Sequence, residues 1–162
     1  KDCPAFGGVY KLAAVKQGDG EFVPKIKLSE NTEKITNPGN KTTYRIYGKD
    51  SHKVIADIIC LVGETFNEDE PLLLFDPVAT WKKTLLAPGT YTMRELPVQV
   101  FKDGECVYHS PKVMDIQKYC KEELNTLWDE TKRLVNPHEV HVDLSKPLWD
   151  MKHALLDKYH FE

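Results

Sequence analysis

The stretch "TTYRIYGKDSHKVIADIICL", Thr42 to Leu61, decides the fold. Its two apolar segments, "YRIY" and "VIADIICL", are rich in the β-branched and aromatic side chains that strands favour. A polar turn centred on Lys49 to His52 separates them. Two strand-like segments joined by a short turn predict an antiparallel hairpin.

Further strands are predicted on both sides of this hairpin. Upstream, "GGVYKLAAV" and "FVPKIKL" flank the glycine-rich turn "GDGE", and the second of them alternates apolar residues with lysines as a half-exposed strand does. Downstream, short apolar segments at 72–75, 80–86 and 98–101 predict three more strands. Asp103-Gly104 predicts a tight turn that joins "VQVF" to "CVYH".

The apolar period changes after Ser110, which can cap a helix that has Pro111 at its first position. Thr126 could cap a second helix, and Ser145 a last one. The apolar residues expected on the inner faces recur at helical spacing: Val113, Ile116, Cys120, Leu124, Leu127 and Leu134, then Leu148, Met151, Leu155 and Tyr159. The sequence therefore predicts an α+β fold, with antiparallel strands in the first two thirds and a helical cluster at the C-terminus.

Composition limits the class of protein. The chain has 162 residues, 22 lysines and arginines against 25 aspartates and glutamates, and a net charge of −3, which argues against nucleic-acid binding. No apolar run approaches the roughly 20 residues that cross a bilayer, so no membrane span is expected. The cysteines, Cys3, Cys60, Cys106 and Cys120, lie far apart, which favours buried thiols in a reducing, cytoplasmic compartment.

Two arrangements of residues have the types that catalysis or metal binding uses. His138, His141 and Asp143 could hold zinc, but an extended segment would point the two histidines to opposite faces. Cys106 has His109 nearby, and on a strand these also diverge, so a buried structural cysteine is the preferred interpretation. No metal site and no catalytic residue is predicted in this chain.

A third arrangement is basic and lies on the first strands and the loop that follows them. It could bind a ligand that carries phosphate groups, or it could be the solvated edge of a sheet, where lysine discourages aggregation. Composition alone favours the solvated edge. The residues are Lys11, Lys25, Lys27, Lys34, Lys41 and Arg45.

Three motifs in a fixed order identify a family: "GGVYKL", then "KLSE" with "EKITNPG", then "RLVNPHEVHVDLS". In this order they resemble the C-terminal region of nicotinate phosphoribosyltransferases, and the resemblance spans essentially the whole chain. It implies a role in NAD biosynthesis, in which nicotinate and phosphoribosyl pyrophosphate give nicotinate mononucleotide while ATP is hydrolysed. Such a transferase needs Mg²⁺ and basic groups that stabilise the departing pyrophosphate.

The resemblance also implies that much of the enzyme lies outside this chain. In the family, the catalytic histidine and the glycine-rich phosphate loop lie on an upstream barrel, so we expect a piece that is inactive alone and needs no cofactor of its own. Mg²⁺ and ATP would serve the full-length enzyme. Partners would be the barrel, the N-terminal domain and a second copy in a homodimer.

Residues 1–42 are expected to complete a sheet of the longer enzyme, and residues 43–162 to form the C-terminal domain. The resemblance favours Lys11, then Lys25 and Lys27, as residues that reach substrate phosphates. Two alternatives stay open: a stand-alone anion-binding module without catalysis, and a small complete enzyme that uses Cys106 or the histidines.

Overall fold

The computed structural model describes residues 7–160. It contains ten strands, two α-helices and a short 3₁₀ turn. The strands are β1 Ala14–Lys16, β2 Phe22–Pro24, β3 Lys41–Gly48, β4 Val54–Leu61, β5 Leu72–Phe75, β6 Lys83–Leu86, β7 Tyr91–Glu95, β8 Phe101–Lys102, β9 Glu105–Cys106 and β10 His141–Leu144. The helices are α1 Val113–Thr126 and α2 Lys146–His160, and the 3₁₀ turn is Thr32–Lys34.

The predicted hairpin is the centre of the molecule. β3 and β4 pair antiparallel, with Tyr44 opposite Ile58 and Ile46 opposite Ala56. These strands lie in a six-stranded sheet of order β6-β5-β10-β4-β3-β7. β10 runs parallel to β4, and the other neighbouring pairs are antiparallel. The predicted α+β class is confirmed.

Two groups of buried side chains form the core on the sheet. Burying each large apolar side chain contributes roughly 1.5–3 kcal/mol to folding. The first group is Ile46, Ala56, Ile58, Leu74 and Tyr91, and the second is Phe75, Leu144 and Leu148. The second group joins α2 to β5 and β10, so the C-terminal helix is anchored to the sheet.

The sheet differs from the prediction in two strands. β7 was not predicted, yet its Tyr91 is fully buried and donates from its hydroxyl toward the carbonyl oxygens of Asn67 and Glu70 at 3.1 and 3.0 Å. β10 lies in the middle of the sheet, although the segment at 137–142 was predicted only to be extended. The last third of the chain therefore supplies a strand between its two helices, and the helices do not follow one another directly.

The N-terminal strands are shorter than predicted. Of "GGVYKLAAV", only residues 14–15 belong to a strand, and of "FVPKIKL" only Phe22–Pro24 does. β1 and β2 pair with each other in a separate two-stranded ribbon. The Tyr10 side chain is fully exposed and Val23 is half exposed, so the apolar pattern has no core to face here.

The helix boundaries were predicted in part. α1 begins after Lys112, whose side chain cannot accept a hydrogen bond, so the predicted Ser110 cap with Pro111 at the first position is wrong. The predicted second helix is also wrong, because residues 127–135 form a turn at 129–132 with bends and irregular chain around it. Ser145 does cap α2: its hydroxyl oxygen accepts the Leu148 N–H at 3.4 Å.

The apolar faces of the helices were predicted less well than their positions. Every residue of α1 is at least partly exposed, including Val113 and Ile116. On α2, Leu148 is buried and Met151 and Leu155 are half-buried, whereas Tyr159 is exposed. Within residues 7–160, no helix combines the length and the apolar character that a bilayer span requires.

Candidate functional site

A cavity of about 860 Å³ lies between the N-terminal segment, the segment before β3 and the adjacent end of the sheet. Four lysines line it, and a glutamate, Glu33, lines it with them. The lysines are Lys11, Lys27, Lys34 and Lys41. We call this cavity the basic pocket.

Two of the four ammonium groups are held by backbone carbonyls. Lys11 Nζ donates to the carbonyl oxygen of Lys34, and Lys41 Nζ donates to that of Gly39 at 2.8 Å. Burial lowers the pKa of Lys41, because desolvation disfavours its charged form. An ammonium group has three hydrogens, so each of these lysines keeps donors for a ligand. A bound anion would offset both the cost of burying the ammonium groups and the repulsion between them.

The segment Thr36–Gly39 is tightly packed, and its first two residues, Thr36 and Asn37, line the basic pocket. Thr36, Pro38 and Gly39 are buried, and Gly39 has a φ of +94°. A Cβ at Gly39 would lie 2.8 Å from Leu61 Cδ2 and 3.1 Å from Met151 Sδ, so only glycine fits there. Gly39 begins the bend that leads the chain into β3.

The N-terminal segment reaches the pocket through one carbonyl. The oxygen of Ala13 accepts the backbone N–H of Lys25 and that of Gly39, both at 2.8 Å. These two bonds tie the N-terminal ribbon to the Thr36–Gly39 segment, and Ala13 itself lines the pocket. Lys11, two residues earlier, is thereby brought to the cavity.

Thr36 and Asn37 add neutral polar groups to the wall. Thr36 Oγ1 is buried and has no hydrogen-bond partner within residues 7–160. Asn37 Oδ1 accepts from Lys152 Nζ, which comes from α2, at 2.9 Å. Thr36, Asn37 and Lys152 were not predicted from the sequence to belong to a binding site. Lys152 lies four residues after Leu148 and so falls on the inner face of α2.

The predicted phosphate-contacting lysines separate into two groups. Lys11 and Lys27 line the basic pocket together with Lys34 and Lys41. Lys25 is exposed and is not among the lining residues. Arg45 is engaged elsewhere, since its guanidinium pairs with Asp57 across the hairpin.

The histidines do not form the zinc arrangement considered from sequence. His141 begins β10, while His138 precedes it. Across residues 7–160, no group of three or more His, Cys, Asp or Glu side chains is arranged to hold a metal ion. Asp143 is buried, and burial raises the pKa of its carboxyl.

The cysteine prediction is wrong at two positions. Cys60 is buried in β4, and burial raises the pKa of its thiol to about 12. Cys106 and Cys120 are exposed. Cys106 belongs to a hairpin of two residues per strand that is too small to bury a side chain, and Cys120 lies on the exposed helix α1. Cys3 lies outside the described residues.

Comparison with known proteins identifies the domain. Residues 40–152 match the model of the nicotinate phosphoribosyltransferase C-terminal domain. The chain is similar to nicotinate phosphoribosyltransferases of Bacillus subtilis, 39% identical over 93% of this chain and 30% of that protein, and of Caenorhabditis elegans, 33% identical over 94% and 26%.

A solved structure shows the same fold. The crystal structure of human nicotinic acid phosphoribosyltransferase matches 74% of this chain and 23% of its own with a TM-score of 0.61 and 21% identity. The chain spans less than a third of the length of each of these relatives. On the match to residues 40–152, this chain belongs to the nicotinate phosphoribosyltransferase family, as its C-terminal domain.

Proposed function

We propose that this chain works as the C-terminal part of a nicotinate phosphoribosyltransferase and that its basic pocket binds phosphate groups of the reaction. The reaction joins nicotinate to phosphoribosyl pyrophosphate with ATP hydrolysis and gives nicotinate mononucleotide. The observation that carries the proposal is the convergence of four lysines on one cavity in a chain of this family.

The electrostatics favour an anion of high charge. Four ammonium groups and one carboxylate line the pocket, so its net charge is positive although the whole chain carries −3. A pyrophosphate group accepts hydrogen bonds at several oxygens and can be shared among the lysines. Lys11 and Lys27 are the proposed phosphate contacts, and Lys34 and Lys41 extend the same site. For Lys25 we now propose only a backbone role.

The pocket does not suit Mg²⁺ itself. Magnesium prefers oxygen ligands, whereas this lining is dominated by ammonium groups that would repel a cation. We therefore assign Mg²⁺ and ATP to the whole enzyme and no catalytic step to this chain. Its contribution is to bind and orient phosphate oxygens.

The remaining features of the proposal concern the larger assembly. Residues 1–42 would complete a sheet of the longer enzyme, and support comes from the ribbon β1–β2, which pairs apart from the main sheet. The exposed apolar side chains of α1, among them Val113, Met114 and Tyr119, fit contact with the barrel or with a second copy in a homodimer. The assembled enzyme would be cytoplasmic.

The test measures pyrophosphate binding and turnover on the 162-residue chain. Calorimetric titration should show pyrophosphate binding that weakens with added salt, and about tenfold weaker binding in Lys11→Met and in Lys27→Met. Lys25→Met removes the same charge outside the pocket and should bind like wild type. Nicotinate turnover by the chain alone should be absent.

Two results would contradict the proposal. Equal loss of binding in Lys25→Met and Lys11→Met would mean that the chain attracts anions only through its general charge. Turnover by the isolated chain would favour the small complete enzyme. If the chain is instead a stand-alone anion-binding module, it should bind pyrophosphate equally well. Joining it to the rest of a family member should then produce no nicotinate turnover.

A further inference from the structure

Lys152 is a buried cation whose hydrogen-bond acceptors are both neutral. The residue is 4% exposed, and its Nζ donates to Asn37 Oδ1 at 2.9 Å and to the carbonyl oxygen of Pro77 at 3.1 Å. Burial lowers the pKa of this lysine. Burying an ammonium group is costly unless a carboxylate or several dipoles compensate, so a feature of this kind calls for a reason other than stability.

The contact fixes the orientation of the Asn37 side chain. An ammonium group can only donate hydrogen bonds, so Asn37 must turn its oxygen toward Lys152. The Nδ2 group, which carries two donors, is then on the side of the amide away from the ammonium. Asn37 also lines the basic pocket, so a ligand there could accept from an Asn37 amide held in this orientation.

A second neutral group beside Asn37 lacks a partner. Thr36 Oγ1 is buried and has no hydrogen-bond partner within residues 7–160, and Thr36 lines the same pocket. Leaving a buried hydroxyl unsatisfied costs about 1–3 kcal/mol. A phosphate oxygen could accept from the Asn37 amide while the lysines neutralise its charge, and a small shift of the buried Thr36 side chain would let its hydroxyl donate as well.

We propose that Lys152 is a positioning residue that holds the Asn37 amide as a hydrogen-bond donor, next to the Thr36 hydroxyl, for an oxygen of a phosphate or pyrophosphate group in the basic pocket. This inference rests on the proposed function, since it concerns the same site. It assigns the wall Thr36–Asn37 to recognition and leaves charge neutralisation to the lysines.

At position 37, the side chain that best stabilises the fold differs from the one that best binds an anion. An aspartate there would form an ion pair with Lys152 and would suit the fold better than asparagine does. It would also replace a donor by a carboxylate at a site for anions. Asn37→Asp should therefore keep or raise the melting temperature and weaken pyrophosphate binding at least about tenfold. If Asn37 had only a structural role, the affinity for pyrophosphate would change in the same direction as the melting temperature.

The experiment titrates pyrophosphate into the 162-residue chain at constant salt and measures melting temperature in parallel. Asn125→Asp is the matched control, because it makes the same charge change at an exposed position distant from the pocket in the sequence. It should bind like wild type. Lys152→Met should weaken binding about fivefold in the wild-type background and change it little in Asn37→Ala, since the lysine acts through the amide.

The outcomes separate this inference from the proposed function. If Lys11→Met weakens binding while Asn37→Asp binds like wild type, the pocket stands and the positioning role is wrong. If Lys152→Met weakens binding equally in both backgrounds, the lysine does not act through Asn37 and the inference is also wrong. Wild-type chain that binds no pyrophosphate would overturn the proposed function and this inference together.

Discussion

Arg45 and Asp57 lie directly opposite each other on β3 and β4 and form a two-pronged ion pair. Arg45 Nε donates to Asp57 Oδ1 at 2.8 Å, and Nη2 donates to Oδ2 at 2.9 Å. Both side chains are largely buried. The pair fixes the register of the hairpin on which the sheet is built.

Breaking this pair should destabilise the fold more than breaking a surface pair. Asp57→Asn removes the carboxylate that accepts both hydrogen bonds of the partly buried guanidinium and leaves it the Glu123 carboxylate at 3.8 Å, so we expect a loss of about 2 kcal/mol in the free energy of unfolding. Glu122→Gln, which breaks the exposed pair with Lys118 on α1, is the control and should cost less than about 0.5 kcal/mol. Equal effects in urea denaturation would contradict the assignment.

Glu123 of α1, which pairs with Arg94 of β7, should contribute a stability that depends on pH. Glu123 accepts from Arg94 at 2.8 and 2.7 Å, and this hydrogen bonding lowers the pKa of its carboxyl below the ordinary 4.5. A carboxyl whose pKa is lower in the folded state stabilises above the unfolded pKa and loses that contribution as pH falls through the folded value.

Glu123→Gln should therefore lower the free energy of unfolding by about 1 kcal/mol at pH 7 and by less at pH 3. Urea denaturation of both proteins at the two pH values checks this. The cost staying constant or growing toward pH 3 would show that the carboxylate charge is not what links α1 to β7.

The tightly packed chain that follows the pocket residue Asn37 should not tolerate a side chain at Gly39. Gly39→Ala adds a Cβ against Leu61 and Met151 at a φ of +94°, and we expect a loss of about 3 kcal/mol from strain and crowding. Gly63→Ala is the matched control, since Gly63 has a φ of +96° and its Cβ would meet no atom of the described residues within 4 Å. It should lose only about 1 kcal/mol. Similar losses in both variants would mean that the packing around Gly39 is loose.

The cysteines should differ in reactivity according to burial. Cys106 and Cys120 are exposed, whereas Cys60 is buried with a pKa raised to about 12. Brief treatment with iodoacetamide at pH 8 should alkylate the first two, and Cys60 only after unfolding, because the thiolate is the reactive form. Peptide mass spectrometry measures this. Rapid alkylation of Cys60 in the folded protein would contradict its place in the core.

Local signals explain which parts of the fold could be predicted. The β3–β4 hairpin, the strand at 72–75, the Asp103-Gly104 turn and the Ser145 cap each depend on a few neighbouring residues. β7 was missed because its polar Thr92 and Arg94 obscure the buried Tyr91, and the central place of β10 depends on pairing with β4, far away in the chain. The N-terminal segment and α1 have apolar patterns, but no partner among residues 7–160 buries them. Periodicity alone therefore predicted longer strands and a more buried helix face than the structure has.

The site was predicted to a similar extent. Lys11 and Lys27 were identified, and the structure brings them together with Lys34 and Lys41. Lys25, predicted together with them, does not line the pocket, and its backbone N–H donates to the Ala13 carbonyl at 2.8 Å. The contact of Lys152 with Asn37 joins residues 115 positions apart, and such long-range contacts leave no mark in local sequence.

Nicotinate turnover by a hybrid enzyme tests the central claim most directly. The 162-residue chain replaces the corresponding C-terminal part of the Bacillus subtilis relative, and formation of nicotinate mononucleotide is measured against phosphoribosyl pyrophosphate concentration. We predict an active hybrid in which Lys11→Met and Lys27→Met raise KM for phosphoribosyl pyrophosphate about tenfold, whereas Lys25→Met leaves it unchanged. An active hybrid whose KM is insensitive to all three substitutions would show that the basic pocket does not bind the phosphates of the substrate.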